Sequence, residues 1–235
     1  MKQNLIIEAA IRSHQPNELI LASKLYREKL DGTVSEAAFY KTLERMCKAG
    51  ELSKAAKGTY YLKKTGAFGT VPLSEQEIVS AFTESGTGTV IGYALYNRLG
   101  LTTQISKRIE VLSSALEAQT KTIQNVSIEY CNLVFTKENS DMVHALEVLQ
   151  NYEEIQDINS AMMLEYSKEI AGSYVQPVFD EVISKRKYAK STIAFLREIL
   201  NYYGRENSLN RHLSSLSNYK HPKMEELIEA TRSCL

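Results

Sequence analysis

The hydrophobic positions from residue 33 to residue 62 first repeat with a helical period and then alternate as they do in strands. Apolar side chains at i, i+4, i+7 and i+8 predict a helix with one apolar stripe. The members of this stripe are Phe39, Leu43, Met46 and Cys47. Thr33 and Glu36 have the spacing of a capping box, and Gly50 suits the position just after a helix. We therefore predict a helix that starts at this cap and runs to about Ala49.

Two short strands with a basic turn are predicted directly after this helix. Residues 51–53 and 59–62 are the strand candidates, and residues 54–58 form the turn. A helix followed at once by a basic hairpin is typical of the recognition helix and wing of a winged helix-turn-helix. Such a helix fits the major groove, and the wing contacts phosphates. The candidate DNA-binding residues are Ser35, Tyr40, Lys41, Arg45, Lys48, Lys54, Lys57 and Thr59.

Each candidate contact also has a simpler interpretation. Arg45 could bind a guanine in bidentate fashion, or it could pair with Glu36 or Glu44 on a solvated helix face. Lys54 and Lys57 could neutralise phosphates or simply form a charged turn. A second basic cluster at residues 185–190 follows a helix end, where a solvated face is the default and a nucleic-acid contact is the alternative.

Two helices are predicted before the recognition helix. The first covers residues 5–13, capped by Asn4, with Leu5, Ile6 and Ala9 on one face. Pro16 breaks the chain, because the residue before a proline is driven out of helical geometry. The second helix covers residues 18–30.

The pattern divides the chain into four parts and predicts an α+β fold. Residues 1–64 form the winged helix-turn-helix, and residues 65–73 a Gly-rich linker. Residues 74–154 form a mixed α/β domain with a small β-sheet, and residues 155–235 a helical extension packed on it.

The second domain opens on another capping box, Ser74 with Glu77, which leads a helix over residues 75–84. A later helix over residues 141–152 has Ser140 or Asp141 as its cap. The other predicted elements are a helix over 89–99, strands over 105–113, 121–124 and 126–131, and extension helices over 161–171, 175–187, 192–203 and 224–231.

The charge of the chain is unevenly distributed. The 235 residues hold 28 basic and 28 acidic side chains. Residues 1–64 carry 12 basic and 7 acidic side chains, a net charge of +5, so the remainder carries −5. A basic N-terminal part on an acidic body favours a polyanionic partner for that part alone, although chance segregation is the alternative.

Composition argues against several classes of protein. No apolar run approaches the ~20 residues that cross a bilayer, and the N-terminus does not read as a signal peptide. Cys47, Cys131 and Cys234 are odd in number and far apart, so we expect reduced thiols and a cytoplasmic location. The histidines and cysteines lack zinc spacing, and no catalytic grouping can be argued. We expect no cofactor, no metal and no enzymatic activity.

Two stretches of the chain resemble a known family. AAFYKTLERMCKAGELSKAAKGTYYL contains R-(L/M)-x-x-x-G-x-L-x-x-x-x-(K/R)-G-x-Y, and GYALYNRLGLTTQISKRIEVLSS contains L-G-L-(S/T)-T-Q. Together they resemble the AbiEi family of type IV toxin–antitoxin antitoxins and its transcriptional-regulator relatives. The similarity covers roughly residues 4–152, and the helices after residue 155 match no feature of the family. The second signature consists of Leu99, Gly100, Leu101, Thr102, Thr103 and Gln104.

The resemblance implies two activities. The winged helix would bind inverted repeats of double-stranded DNA in its own promoter, which suits a homodimer or paired monomers. The second domain would neutralise a co-encoded nucleotidyltransferase toxin without needing a stable complex. From the residues alone, Thr102, Thr103 and Gln104 could instead cap the preceding helix. Two other functions stay open: a winged-helix regulator with a C-terminal ligand- or partner-sensing domain, and an adaptor that has lost DNA binding.

Overall fold

The computed structural model of the chain describes residues 2–232 and divides into two compact units. The first unit extends to Ala81 and includes Thr122–Val126. The second comprises Phe82–Lys121 and the chain from Ser127 onward. The boundary after Ala81 lies within the predicted second domain rather than in residues 65–73.

The first unit combines helices with a three-stranded antiparallel sheet. Its first elements are α1 (Lys2–Arg12), β1 (Leu19–Leu21), α2 (Ala22–Leu25), α3 (Glu36–Lys48), β2 (Leu52–Ala56) and β3 (Thr59–Leu62). A π-helical turn, Tyr26–Leu30, continues α2. The sheet order is β1-β3-β2, with Leu19 opposite Tyr61 and Lys54 opposite Tyr60. The predicted helix after residue 33 is confirmed as α3.

The elements before α3 differ from the prediction in two ways. α1 begins before Asn4, and its buried side chains are Ile7 and Ile11, whereas Leu5 is 64 % exposed. The predicted face of Leu5, Ile6 and Ala9 was therefore wrong, because packing against α3 selects the other helical face. The predicted helix over 18–30 was wrong in its first part, where Leu19–Leu21 pairs with β3 instead.

The cap of α3 also differs from the prediction. Ser35, not Thr33, is the N-cap, and its Oγ accepts a hydrogen bond from the amide of Ala38 at 3.3 Å. Thr33 instead lies in the turn before the helix, where its amide bonds to the carbonyl of Leu30. The predicted helix end is confirmed, since Ala49 is the C-cap.

A second hairpin follows β3 where a linker was predicted. β4 (Lys64–Gly66) pairs with β5 (Gly69–Val71), so residues 65–73 are not irregular. α4 (Glu75–Thr83) follows, and its predicted capping box is confirmed. Glu77 accepts from the Ser74 amide at 2.7 Å, and the Glu77 amide donates to the Ser74 hydroxyl at 3.2 Å.

In the described residues, the second unit packs six α-helices with a four-stranded sheet in the order β6-β7-β9-β8. Its strands are β6 (Gly88–Ile91), β7 (Ile109–Ser113), β8 (Thr120–Ile123) and β9 (Val126–Tyr130). Its helices are α5 (Gly92–Arg98), α6 (Lys137–Gln150), α7 (Ser160–Ser173), α8 (Gln176–Lys185), α9 (Lys190–Tyr202) and α10 (Met224–Arg232). The hairpin tip between β8 and β9 is the segment grouped with the first unit.

Three predictions in the second unit need correction. The helix over 89–99 was wrong in its first residues, because Gly88–Ile91 pairs with β7. The strand over 105–113 begins only at Ile109. α6 begins at Lys137, with Thr136 as N-cap in place of Ser140 or Asp141. A tight turn at Gln124 is confirmed, since its φ is 53°.

One hydrophobic core holds the second unit together. α6 contributes Met142, Val143, Leu146 and Leu149, all buried. The later helices bring further buried side chains to the same cluster: Met163, Phe179, Phe195, Leu196 and Leu227. The α7–α10 segment therefore shares its core with α5 and α6. Among the described helices, none has the length and apolar character to cross a membrane.

Candidate nucleic-acid interface

Helix α3 has one buried face and one exposed face. Phe39, Leu43 and Met46 are buried in the core of the first unit, where α1 contributes Ile7 and Ile11. This amphipathic distribution follows from the 3.6-residue period of the sequence. The opposite face of α3 is therefore open to a partner.

The first three candidates on α3 are exposed. Ser35 is committed to the N-cap, so its hydroxyl is shared with the Ala38 amide. Tyr40 is 38 % exposed, and its ring lies edge-on to Phe39 with centroids 5.2 Å apart. Lys41 is exposed on the same helix face. These three side chains form a polar surface along the first half of the helix.

Arg45 and Lys48 are ion-paired within the first unit. Arg45 binds the carboxylate of Glu8 on α1, which is neither of the partners weighed from the sequence. Lys48 pairs with Glu44 at 2.7 Å. Arg45 is 53 % exposed, so its pair is screened by water and is worth little in stability. A phosphate or guanine could therefore compete for this guanidinium.

The outer face of α3, taken with Glu8 beside it, carries no net charge. The cations on this face are Lys41, Arg45 and Lys48. The carboxylates on it or beside it are Glu8, Glu36 and Glu44. Any strong attraction for a polyanion must therefore come from neighbouring elements.

The β2–β3 hairpin supplies positive charge, but not at every predicted residue. Lys54 lies within β2 rather than in the turn, and its side chain is exposed. Lys57 is exposed in the turn before β3. Thr59 was wrong as a DNA-binding candidate, because it is 0 % exposed at the centre of the sheet. It stands between β1 and β2, where its neighbours cover it.

Positive charge continues into the β4–β5 hairpin. Residues 52–74 hold four lysines and no acidic residue. They are Lys54, Lys57, Lys63 and Lys64, and all four are exposed. Phe68 lies at the tip of this second hairpin and is fully exposed. Sequence reasoning missed this element, although the spacing of Gly66 and Gly69 around two residues is a hairpin signal.

A buried asparagine holds the base of the β4–β5 hairpin. Asn17 is 1 % exposed and has a φ of 64°. Its Oδ1 accepts from the Lys64 amide at 3.3 Å, and its Nδ2 donates to the Pro72 carbonyl and to Glu77, both at 3.3 Å. Its own amide donates to the Leu62 carbonyl at 2.8 Å. Both strands of the hairpin are thus fixed at their ends, while the tip projects.

The antitoxin signature forms a loop in the second unit. Leu99 is the C-cap of α5, and Gly100 follows with a φ of 69°. Leu101 is 0 % exposed in the core. A side chain at Gly100 would meet Met162, so this position favours glycine on two grounds. These three residues shape the backbone and the core.

The other half of the signature binds the loop before α7. The hydroxyl of Thr102 donates to the Gln156 carbonyl at 2.6 Å and accepts from the Gln104 amide at 3.1 Å. The side-chain amide of Gln104 donates to Asp157. Thr103 is exposed beside an open cavity of about 600 Å³. In this described loop, Thr102 and Gln104 are engaged in hydrogen bonds, whereas the side chain of Thr103 is exposed.

A second cavity in this unit, of about 390 Å³, is lined by α6, which contributes His144, and by α7. The Nε2 of His144 lies 2.6 Å from the Thr89 hydroxyl, and its ring also bonds the Val90 backbone. Burial, with Arg98 nearby, lowers the pKa of His144 to about 4. Burial therefore favours the neutral imidazole at pH 7.

The predicted basic cluster at residues 185–190 contains an inward-pointing arginine. Arg186 donates to Glu147 and to Glu129, both at 2.8 Å, and Glu147 is 4 % exposed. The Tyr188 hydroxyl donates to the same Glu147 oxygen at 3.0 Å. The carboxylates hold the pKa of Arg186 above its usual range. This cluster joins α6, β9 and the end of α8, so Arg186 is structural.

The comparisons with known proteins add no relative. No protein-family model matches the chain, and no curated protein matches it either. The resemblance to the AbiEi family therefore stays a prediction. Among the described residues, no three histidines, cysteines or carboxylates converge as metal ligands would. Cys47 and Cys131 are free thiols, and Cys234 lies outside the described residues.

Proposed function

We propose that the first unit is a winged helix-turn-helix that binds duplex DNA through α3 and the β2–β3 hairpin. The order α1-β1-α2-α3-β2-β3, with the sheet order β1-β3-β2, supports this interpretation. The observation that carries it is the exposed outer face of α3 beside an exposed basic hairpin. An α-helix fits the major groove of B-DNA, and the hairpin lysines would lie against phosphates.

Charge and shape make separate contributions in this proposal. Lys41, Lys54 and Lys57 supply sequence-independent attraction that weakens with salt. Tyr40 and Arg45 are long enough to reach base edges once Arg45 exchanges Glu8 for a DNA group.

The direct test measures binding to a labelled duplex taken from immediately upstream of the chain's own gene. The triple substitution Lys41→Ala, Lys54→Ala and Lys57→Ala removes three phosphate contacts. We expect the slope of log K against log salt to fall by about 2.7, at about 0.9 per contact. Fluorescence anisotropy between about 50 and 200 mM salt measures this slope.

The matched control changes the same charge elsewhere. Lys107, Lys168 and Lys220 are exposed residues of the second unit, and their triple alanine variant also loses three positive charges. We expect this control to keep the wild-type slope. Equal losses in both variants, with unchanged circular dichroism, would remove α3 and its hairpin from the interface.

We further propose that the chain is an antitoxin that neutralises a co-encoded nucleotidyltransferase toxin and represses its own operon. The supporting observations are the two signatures in residues 45–60 and 99–104. Co-expression of the full chain with the product of the adjacent gene should rescue growth. The triple lysine variant should rescue equally well, because DNA binding and neutralisation lie in different units. A toxic neighbour that the full chain does not neutralise would refute the antitoxin role.

A transcriptional regulator that senses a ligand is the second candidate. It is favoured by the cavity of about 390 Å³ that His144, Tyr166 and Glu169 line, since ligand sites commonly combine apolar walls with a few polar groups. Promoter binding by the chain, with a neighbouring gene whose product is harmless, would favour this candidate over the antitoxin.

A further inference from the structure

We propose that the β4–β5 hairpin is a second DNA-contacting element, and that Phe68 at its tip inserts between base pairs of duplex DNA. This inference rests on the proposed DNA binding of the first unit and adds a contact outside the helix and wing. The hairpin is called the Phe68 hairpin below and consists of residues 64–71.

The exposure of Phe68 is the first reason. Its ring has no packing partner in the hairpin, because the two-residue tip of Ala67 and Phe68 lies beyond the last strand pair, Gly66 with Gly69. An aromatic ring held at a projecting tip, clear of the protein surface, is placed to enter a groove of a partner. Gly69 has a φ of 109°, which lets the chain close this tight turn.

The way the hairpin is held is the second reason. Asn17 binds Lys64 at the start of the hairpin and Pro72 just after its end. The capping box of α4 follows immediately and shares the same asparagine through Glu77. Three residues per strand place the tip about 10 Å from this base. The hairpin is therefore a fixed projection rather than a free linker.

Its charge selects nucleic acid as the partner. Lys63 and Lys64 lie at the base, Lys54 and Lys57 precede them, and residues 52–74 contain no acidic side chain. This run continues the proposed phosphate-contacting surface of the β2–β3 hairpin. An apolar wedge beside phosphate-binding lysines is the arrangement by which minor-groove proteins unstack a base step and kink the duplex. Anionic lipid would also attract these lysines, and vesicles are therefore one arm of the test. Duplex DNA is the partner that we infer, because the lysines continue from the hairpin that follows α3, whose exposed face suits a DNA groove.

The main experiment substitutes Phe68→Ala in the full chain and measures anisotropy with the duplex from upstream of its own gene. Loss of one aromatic–base contact should weaken binding about 5- to 150-fold without changing the salt slope. The matched control is Leu216→Ala, because Leu216 is 96 % exposed in the second unit. This control should keep wild-type affinity. Neither substitution removes a buried contact, so folding is not at issue.

A second variant reports insertion directly. The chain contains no tryptophan, so Phe68→Trp introduces a single fluorophore at the tip. We expect the duplex to quench its emission and the variant to retain wild-type affinity. A 2-aminopurine base in the same duplex should brighten on binding, because unstacking relieves its quenching.

The outcomes separate this inference from the proposed function. Unchanged affinity of Phe68→Ala, alongside a weakened triple lysine variant, overturns the inference and leaves the proposed function standing. Failure of the wild-type chain to bind any duplex overturns both. A Phe68-dependent interaction with single-stranded oligonucleotides or anionic vesicles, with duplex binding unaffected, assigns the tip to another partner and also overturns the inference.

Discussion

Removing the Asn17 side chain tests whether its hydrogen bonds hold the Phe68 hairpin at its base. Asn17→Gly deletes the amide that bonds Lys64, Pro72 and Glu77 while tolerating the φ of 64°. Three hydrogen bonds at about 0.5–1.5 kcal/mol each set the range of the loss. Lys64 and Pro72 are exposed and can recover water, so we expect the lower part of that range, about 2 kcal/mol.

Asn17→Ala adds backbone strain to the same deletion. An alanine in the left-handed region costs about 1–2 kcal/mol, partly offset because glycine loses more chain entropy on folding. We therefore expect Asn17→Ala to be roughly 1 kcal/mol less stable than Asn17→Gly. The order of stability should be asparagine, then glycine, then alanine.

Amide hydrogen exchange measured by mass spectrometry is the suitable assay, because it reports each segment of a two-unit protein separately. Peptides covering residues 62–73 should exchange faster in both variants, while peptides of α7 and α9 should not change. Asn218→Ala, at an exposed asparagine of the second unit, is the control. Unchanged exchange in residues 62–73 would show that the asparagine does not hold the hairpin.

Three further predictions concern the cap of α3, the Arg45–Glu8 ion pair and the buried His144. Ser35→Ala removes the α3 cap and should cost about 1 kcal/mol in urea unfolding, whereas Thr33→Ala should have no comparable effect. Glu8→Gln frees Arg45 and should tighten duplex binding with a steeper salt slope; weaker binding would contradict the exchange of partners. Burial lowers the pKa of His144 to about 4, so as the pH falls from 6.5 to about 4 the unfolded chain binds more protons at this residue than the folded chain does. Stability should therefore drop by up to about 3 kcal/mol over that window, and His144→Gln should remove this part of the drop in urea titrations at several pH values.

The predictable parts of the fold are those in which local signals agree. The stripe of α3, the capping box of Ser74 with Glu77 and the long helices after Asn159 each combine a period with a cap or a stop. Tertiary packing then stabilises the secondary structure that the segment already favours. The turn at Gln124 belongs to the same class, because two short alternating segments flank it.

The elements and contacts that were predicted wrongly depend on residues far away in the sequence. Leu19–Leu21 is too short for its period to decide between helix and strand, and its partner strand is β3. The Phe68 hairpin has the composition of a linker, and the asparagine that fixes it lies 47 residues before Lys64. Arg45 had two nearby carboxylates on its own helix, but its partner is Glu8, 37 residues away. In each case the deciding contact is tertiary.

The ion pairs of α3 and the exposed lysines of the hairpins predict different roles for these elements in the candidate interface. A helix face whose cations are balanced by carboxylates gains little from long-range attraction to a polyanion. On the proposed function, α3 would therefore contribute mainly through hydrogen bonds to base edges. The hairpins carry lysines without acidic neighbours and would supply the salt-dependent affinity. On the proposed function, Glu8 holds Arg45 in an ion pair until a group on the DNA replaces it. On the proposed function, affinity should follow the hairpin lysines across all duplexes, and discrimination between sequences should follow Arg45 and Tyr40.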